Sequence, residues 1–267
     1  MADPTFVHGR IARFGDEKRI ADEDKLAVEE PLEIRFGRVP LAITMRTPGH
    51  DLELVAGFLL TEGIIKTRQD IDKIAGPDRA LPNVVSVKLR RGVRIDKNRL
   101  QRYFFTSSSC GLCGKTALEA ISVKVRPVAS DIRIPLSLLL SLPEKLRDGQ
   151  ETFDETGGLH GAAVFDQRGR ALFVREDVGR HNAVDKAIGA GLLQGQFPLE
   201  NHILMVSGRA SFEILQKALV ARIPVVAAVS APSSLAVALA RKFKMTLVGF
   251  LRQERCNVYA GEERVVI

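Results

Sequence analysis

Two cysteines, Cys110 and Cys113, stand in a Cys-x-x-Cys spacing within Thr106-Ser-Ser-Ser-Cys-Gly-Leu-Cys-Gly-Lys115. The chain holds only one other cysteine, Cys256, so the pair is no part of a disulfide framework. Gly111 and Gly114 keep bulk away from both sulfurs, and Lys115 sets a positive charge beside them. A thiolate is the reactive form of cysteine, and a nearby cation or helix N-terminus enriches it. The following Thr116-Ala-Leu-Glu-Ala-Ile121 favours a helix, which predicts a cysteine loop entering a helix. The chemistry on offer is sulfur chemistry.

The chain is 267 residues long, 45% hydrophobic and carries a net charge of +7, a composition that can bury a real core. Its N-terminus shows no basic region followed by an apolar run, so no signal peptide is expected. The apolar stretch from Pro224 to Ala240 contains prolines and serines and reads as strand, turn and helix, not as a membrane span. Few cysteines and no export signal predict a cytoplasmic location, where such a pair is catalytic or metal-binding more often than structural. From Asp16 to Glu33 eight acidic residues face three basic ones, and from Lys88 to Arg102 seven basic residues accompany one acid. Such blocks are ordinarily solvated faces; the functional alternative for the second is a rim that attracts an anionic ligand or partner. No nucleic-acid-binding motif accompanies it.

These patterns predict two domains, a smaller α+β unit over 1–105 and an α/β unit over 106–267. In the first, Leu32-Glu-Ile-Arg-Phe36 and Val39 to Met45 alternate as strands around a Gly-Arg turn. A helix follows from about Asp51 to Gly63, and a strand from Asn83 to Leu89. In the second, a helix starts after Pro135, and Gly161–Phe165 and Ala171–Arg175 form a hairpin. Val184 to Leu193 is helical. Then strands at His202–Val206, Pro224–Val229 and Met245–Phe250 alternate with helices at Ser211–Ala221 and Ser234–Lys242. That run predicts parallel strands with right-handed crossovers.

Ligands of open α/β sheets collect beyond the carboxyl ends of the strands. The first such end carries Ser207-Gly-Arg-Ala-Ser211, where Gly208 opens a turn and Arg209 can point outward. The second carries Ser230-Ala-Pro-Ser-Ser234, and the third Arg252-Gln-Glu-Arg255, whose two guanidiniums suit phosphate. Each serine alone could simply cap its helix. Three such ends together predict a phosphate-bearing ligand. The densest polar cluster, Arg175 to Lys186, places Glu176, Asp177, Arg180, His181 and Asn182 at a strand-to-helix corner. It reads either as an ion-pair corner capped by Asn182 or as a pocket wall with a proton-active histidine. His160 fits a turn or core histidine equally well.

Four segments, residues 47–65, 108–115, 175–186 and 207–213, resemble the formate dehydrogenase accessory sulfurtransferase (FdhD) family, in the right order along nearly the whole chain. The resemblance implies a sulfur carrier that takes persulfide sulfur from a cysteine desulfurase. It implies transfer of that sulfur to the bis(molybdopterin guanine dinucleotide) molybdenum cofactor needed by the formate dehydrogenase catalytic subunit. GDP would mimic part of that ligand. Cys110 matches the family's persulfide-carrying cysteine and Cys113 its partner. The family's cofactor contact falls on Phe250, Leu251, Arg252, Gln253, Glu254 and Arg255. Ser207, Gly208, Arg209, Asp177, Arg180 and His181 are expected to join it. The resemblance further implies a homodimer and a cytidine-deaminase-like second domain. The deaminase zinc signature is missing, since the residue two after His160 is Ala162 and no proline precedes Cys110. No bound metal, nucleic-acid or membrane partner is expected. A zinc knuckle would need Cys256 and a histidine as further ligands. A thiol–disulfide oxidoreductase would want the pair beside a βαβ unit, and a non-catalytic cofactor-binding chaperone would make the cysteines incidental.

Overall fold

The computed structural model describes residues 5–15, 18–93 and 125–267. Cys110, Cys113, the helix expected after them, the basic run beyond Val93 and the expected domain boundary lie outside the described residues. The chain opens with an antiparallel hairpin, β1 (Phe6–Gly15) and β2 (Lys18–Ala27). Next, β3 (Glu30–Phe36) and β4 (Val39–Arg46) pair around Gly37, whose φ of 61° suits glycine in a tight turn. Helix α1 (Asp51–Thr61), β5 (Ile71–Ala75) and β6 (Val84–Leu89) follow. β3 to β6 form one sheet in the order β4-β3-β6-β5, with β3 parallel to β6.

The second part begins with β7 (Ile134–Pro135), α2 (Leu136–Arg147) and α3 (Glu151–Thr156). It continues through β8 (His160–Phe165), β9 (Ala171–Asp177), α4 (Arg180–Leu193), β10 (Ile203–Val206) and α5 (Phe212–Val220). Then come β11 (Val225–Ala228), α6 (Ser234–Lys242), β12 (Thr246–Gly249), β13 (Asn257–Ala260) and β14 (Val265–Val266), the last beside β7. Six strands make one sheet in the order β13-β12-β11-β10-β8-β9. The expected βαβαβ run is present, with β10, β11 and β12 parallel. The flanking β8, β9 and β13 run antiparallel to their neighbours, so the sheet is mixed.

The three parallel strands are buried on both faces, which is why they read as unbroken apolar runs. Ile203, Met205, Val225 and Val248 pack with Leu139, Leu142 and Leu146 of α2 on one face. Leu204, Val226 and Leu247 face the other core, which runs on without interruption to Leu32, Val55 and Leu59 of the first part. No helix among the described residues is long and apolar enough to cross a membrane.

Helix α4 packs on β8 and β9 and against α1. It starts at Arg180, four residues before the expected Val184, so the polar residues Arg180, His181 and Asn182 form its first turn. Its crossing with α1 depends on two glycines. A Cβ on Gly189 would lie 1.9 Å from the Glu53 carbonyl oxygen, and one on Gly57 1.9 Å from that of Asp185. Backbone cannot yield as a side-chain tip does. Gly189→Ala is therefore expected to lower stability by about 3 kcal/mol, the upper end of ordinary overpacking. A urea midpoint equal to that of the parent would contradict so close a crossing.

Candidate functional site

The antiparallel pairing of β8 with β10 brings the start of β8 beside the carboxyl end of β10. His160, the first residue of β8, lies opposite Asp177, the last of β9. Loops beyond the strands then lock to one another. Ser207 N donates to Gly161 O and Gly161 N to Ser207 Oγ, each at 2.9 Å. Ser230 N donates to Gly208 O at 3.3 Å, and Phe250 N to Ser230 O at 3.2 Å. The three expected loops thus share one sheet edge with His160 and the 177–182 corner.

Within that edge the residues have different situations. Arg209, Phe250, Arg252, Gln253, Glu254 and Arg255 are exposed, whereas Leu251 is fully buried in the α2-side core. Phe250 adopts φ 50°, a left-handed backbone that is rare for an aromatic residue, and it stays 42% exposed. Arg252 Nη1 donates to Leu251 O at 2.9 Å and also to Val229 O. Arg252 N donates to Arg255 O, closing the turn that carries both arginines. Ser233 Oγ accepts from Ala236 N, so this serine is a helix cap, as its type alone suggested.

The corner is built on a buried ion pair that sequence reading missed. Asp177 is fully buried and Lys186 1% exposed, with Nζ 2.7 Å from Asp177 Oδ2. Asp177 also accepts from Thr47 N, Gly179 N and Asn182 Nδ2. It therefore shapes the corner from beneath. Glu176 accepts from Thr152 N and Phe153 N at the start of α3. Asn182 ties to Met45 O instead of capping its helix. Arg175 makes a two-pronged contact with Glu53, whose neighbour His50 approaches to 3.3 Å. Burial alone would raise the Glu53 carboxyl, but Arg175 and His50 outweigh it and hold its pKa at about 2. Thr47, His50 and Glu53 belong to the 47–65 segment, and that segment's distinctive composition was the only sign of their part in the corner.

Arg180 and His181 head α4. Their Nε and Nε2 atoms are buried and have no hydrogen-bond partner among the described residues. Burial, then the Arg180 charge, lowers the His160 pKa. Burial, then Lys217 and Arg180, lowers that of His181 to about 4, against the opposing pull of Glu213 and Glu62. At neutral pH both rings are thus uncharged beside a guanidinium. A cavity of about 400 Å³ opens beside His160, lined also by Gln150, Phe153, Gly158, Leu159 and Ser207. Its walls mix the polar Gln150, His160 and Ser207 with the apolar Phe153 and Leu159. Among the described residues no three His, Cys, Asp or Glu side chains converge to hold a metal. Cys256 is free and half-buried, and burial raises its thiol pKa.

A model of the FdhD/NarQ family matches residues 27–266, nearly the whole chain. The chain belongs to the FdhD/NarQ family. It is 51% identical over 267 residues to the sulfur carrier protein FdhD of Streptomyces coelicolor, covering 97% of this chain and 95% of that protein. It is 42% identical over 260 residues to the sulfur carrier protein FdhD of Saccharolobus solfataricus, covering 96% of each. Among solved structures, a protein assigned as a formate dehydrogenase accessory protein from Desulfotalea psychrophila superposes with a TM-score of 0.80 at 26% identity, over 98% of this chain and 100% of that one. The mixed α/β architecture is therefore shared with that protein.

Proposed function

We propose that this chain is a sulfur carrier with sulfurtransferase activity, serving formate dehydrogenase. A cysteine desulfurase loads Cys110, and the bis(molybdopterin guanine dinucleotide) molybdenum cofactor, as substrate, receives the sulfur before it enters the dehydrogenase catalytic subunit. In the loading step the Cys110 thiolate attacks the outer sulfur of the desulfurase persulfide. The old S–S bond breaks, its electron pair leaves on the desulfurase thiolate, and no external oxidant is needed. Cys113, three positions on, stands as its partner. The names of the relatives support the carrier role.

The observation that carries the substrate half is the convergence of Ser207–Arg209, Ser230, Phe250 and the Arg252–Arg255 turn on one sheet edge. Two exposed guanidiniums and an exposed aromatic ring are groups that guanosine diphosphate arms require. Arg180 and His181 flank that edge, and Asp177 supports it from below. We read residues 106–267 as a cytidine-deaminase-like domain after an α+β domain over 1–105. The succession β9-β8-β10-β11-β12, with helices between the parallel strands, supports that reading. The carrier works in the cytoplasm as a homodimer, without nucleic acid or membrane.

GDP in about hundredfold excess over its Kd is expected to stabilise the fold by about 2.7 kcal/mol. For a chain of this size that raises the melting temperature by about 5–10 °C. Arg252→Ala with Arg255→Ala should remove most of that rise. An unchanged melting temperature at millimolar GDP would contradict the assignment of this edge.

A further inference from the structure

Among the described residues no lysine, arginine, aspartate or glutamate lines the cavity beside His160. The turn beyond β12, by contrast, exposes Arg252 and Arg255. The functional edge thus has an uncharged hollow and a basic rim. The hollow, at about 400 Å³, is of the size that holds small-molecule ligands. Its walls are fixed from behind. Gln150 N donates to Arg147 O, and Gln150 O accepts from Asp154 N, each at 3.0 Å. Phe153 N donates to Glu176 Oε1 at 2.8 Å, so a carboxylate already occupies the start of α3.

Gln150 is only 4% exposed, and its Nε2 is buried without a hydrogen-bond partner among the described residues. Buried donors are nearly always paired in folded proteins, so this one calls for an acceptor that the fold does not supply. The amide lies against Gly161, where an added Cβ would come within 2.6 Å of Cδ and 2.7 Å of Nε2. Glycine at 161 is what lets this amide lie over the start of β8. Ser207 Oγ accepts from Gly161 N at 2.9 Å, and no acceptor among the described residues takes its hydroxyl hydrogen. Phe153 joins neither hydrophobic core. The Arg147 guanidinium covers one face of its ring, 4.4 Å from the centroid, and the same residue walls the cavity. Two donors with hydrogens to give, an aromatic wall and no charge describe a seat for a flat, neutral group with an acceptor edge.

We propose that this cavity seats an uncharged oxo-heterocycle, with Gln150 Nε2 and Ser207 Oγ donating to its carbonyl and ring-nitrogen acceptors and Phe153 lying against its plane. This rests on the reading of the edge as a nucleotide-cofactor site, to which it adds the place of a ring. Ser207 and Gly208 form one wall of the cavity. From there the bonds of Ser230 N to Gly208 O and of Phe250 N to Ser230 O lead strand by strand to the arginine turn. Two strand spacings, about 10 Å, separate the loop after β10 from the turn after β12. A heterocycle joined through a sugar to a diphosphate spans such a distance, with its ring and its phosphates in unlike surroundings. Guanine and pterin rings share the oxo edge that these donors recognise. Adenine has no carbonyl and presents an amino donor where the cavity needs an acceptor.

The test is titration calorimetry of the full chain with phosphate-free ligands, namely guanosine, biopterin and adenosine, and with inorganic pyrophosphate as the phosphate-only probe. Guanosine or biopterin should bind the parent about tenfold more tightly than adenosine, the effect of one hydrogen bond made or missed. The tighter of the two identifies the ring that sits here. Gln150→Met, apolar and of like length, should weaken that ligand about tenfold, and Phe153→Leu by a comparable factor. Both variants should bind pyrophosphate as the parent does, which shows the fold and the arginine turn intact. No binding of either heterocycle to the parent, equal affinity for adenosine, or parental affinity in both variants would overturn the proposal. Pyrophosphate that fails to bind the parent would contradict the phosphate role of Arg252 and Arg255 instead, while the heterocycles still decide the cavity.

Discussion

Lys186→Met is expected to destabilise the fold by about 3–5 kcal/mol, a large share of the roughly 5–15 kcal/mol available to a protein of this kind. Methionine matches the length of the lysine stem, so the cost comes from the lost ammonium. That ammonium serves Asp177 at 2.7 Å, Thr47 O at 2.8 Å and Glu176 O at 3.1 Å, all in a region closed to water. Without it a carboxylate and two carbonyls are left short of a donor. Because Thr47 hangs on the same cluster, the loss also loosens the junction between β4, α1 and the head of α4. Adding Asp177→Asn to Lys186→Met should recover part of the loss, since no uncompensated charge then remains buried. Denaturant melts of the three proteins read both effects. A single variant within 1 kcal/mol of the parent, on the scale of a modest surface change, would show that the pair does not anchor the corner.

The parts of the fold that were legible in the sequence are those whose burial follows a local period. Strands β10, β11 and β12 stand out as short apolar runs because both their faces are covered. Helix α6 was bounded by a serine cap before it and basic residues at its end, and it spans Ser234–Lys242 as read. The hairpin β1–β2 escaped notice because nearly all its residues are exposed, so charged residues such as Asp22, Glu23 and Asp24 occupy both faces and erase the alternation. Arg180, His181 and Asn182 read as a strand-to-helix corner ahead of a helix from Val184, whereas they form its first turn, where polar residues commonly lie.

The functional edge followed the same division. Its loops were legible because each follows an apolar strand and starts with serine, glycine or arginine. Its support was not, because it joins residues far apart in the chain. Glu53 with Arg175, Thr47 with Asp177, and Thr61 with Asp185 are separated by 122, 130 and 124 positions. Hydrophobic periodicity carries no record of such pairings. The left-handed backbone of Phe250 is also a tertiary matter. Gly249 before it has no room for a Cβ, which would lie 2.8 Å from Pro232 Cδ, and that close packing sets how the next ring is presented.

The second large effect concerns sulfur itself. Cys110→Ser exchanges a thiol for a hydroxyl, which ionises too weakly to attack a persulfide and cannot hold one. Cys256 offers no substitute, because burial pushes its thiol away from the thiolate form. Loading should therefore fall to nothing in Cys110→Ser, whereas Cys256→Ser should load as the parent does. Cys113→Ser separates a second carrier from a tuning neighbour by whether it halves the label, slows it or leaves it intact.

The most direct measurement is intact-protein mass spectrometry after incubation with a cysteine desulfurase and cysteine, with and without reductant. The parent should gain sulfur that a thiol reductant removes, and Cys110→Ser should gain none. A parent that acquires no sulfur, or a Cys110→Ser protein that acquires it undiminished, would contradict the carrier assignment.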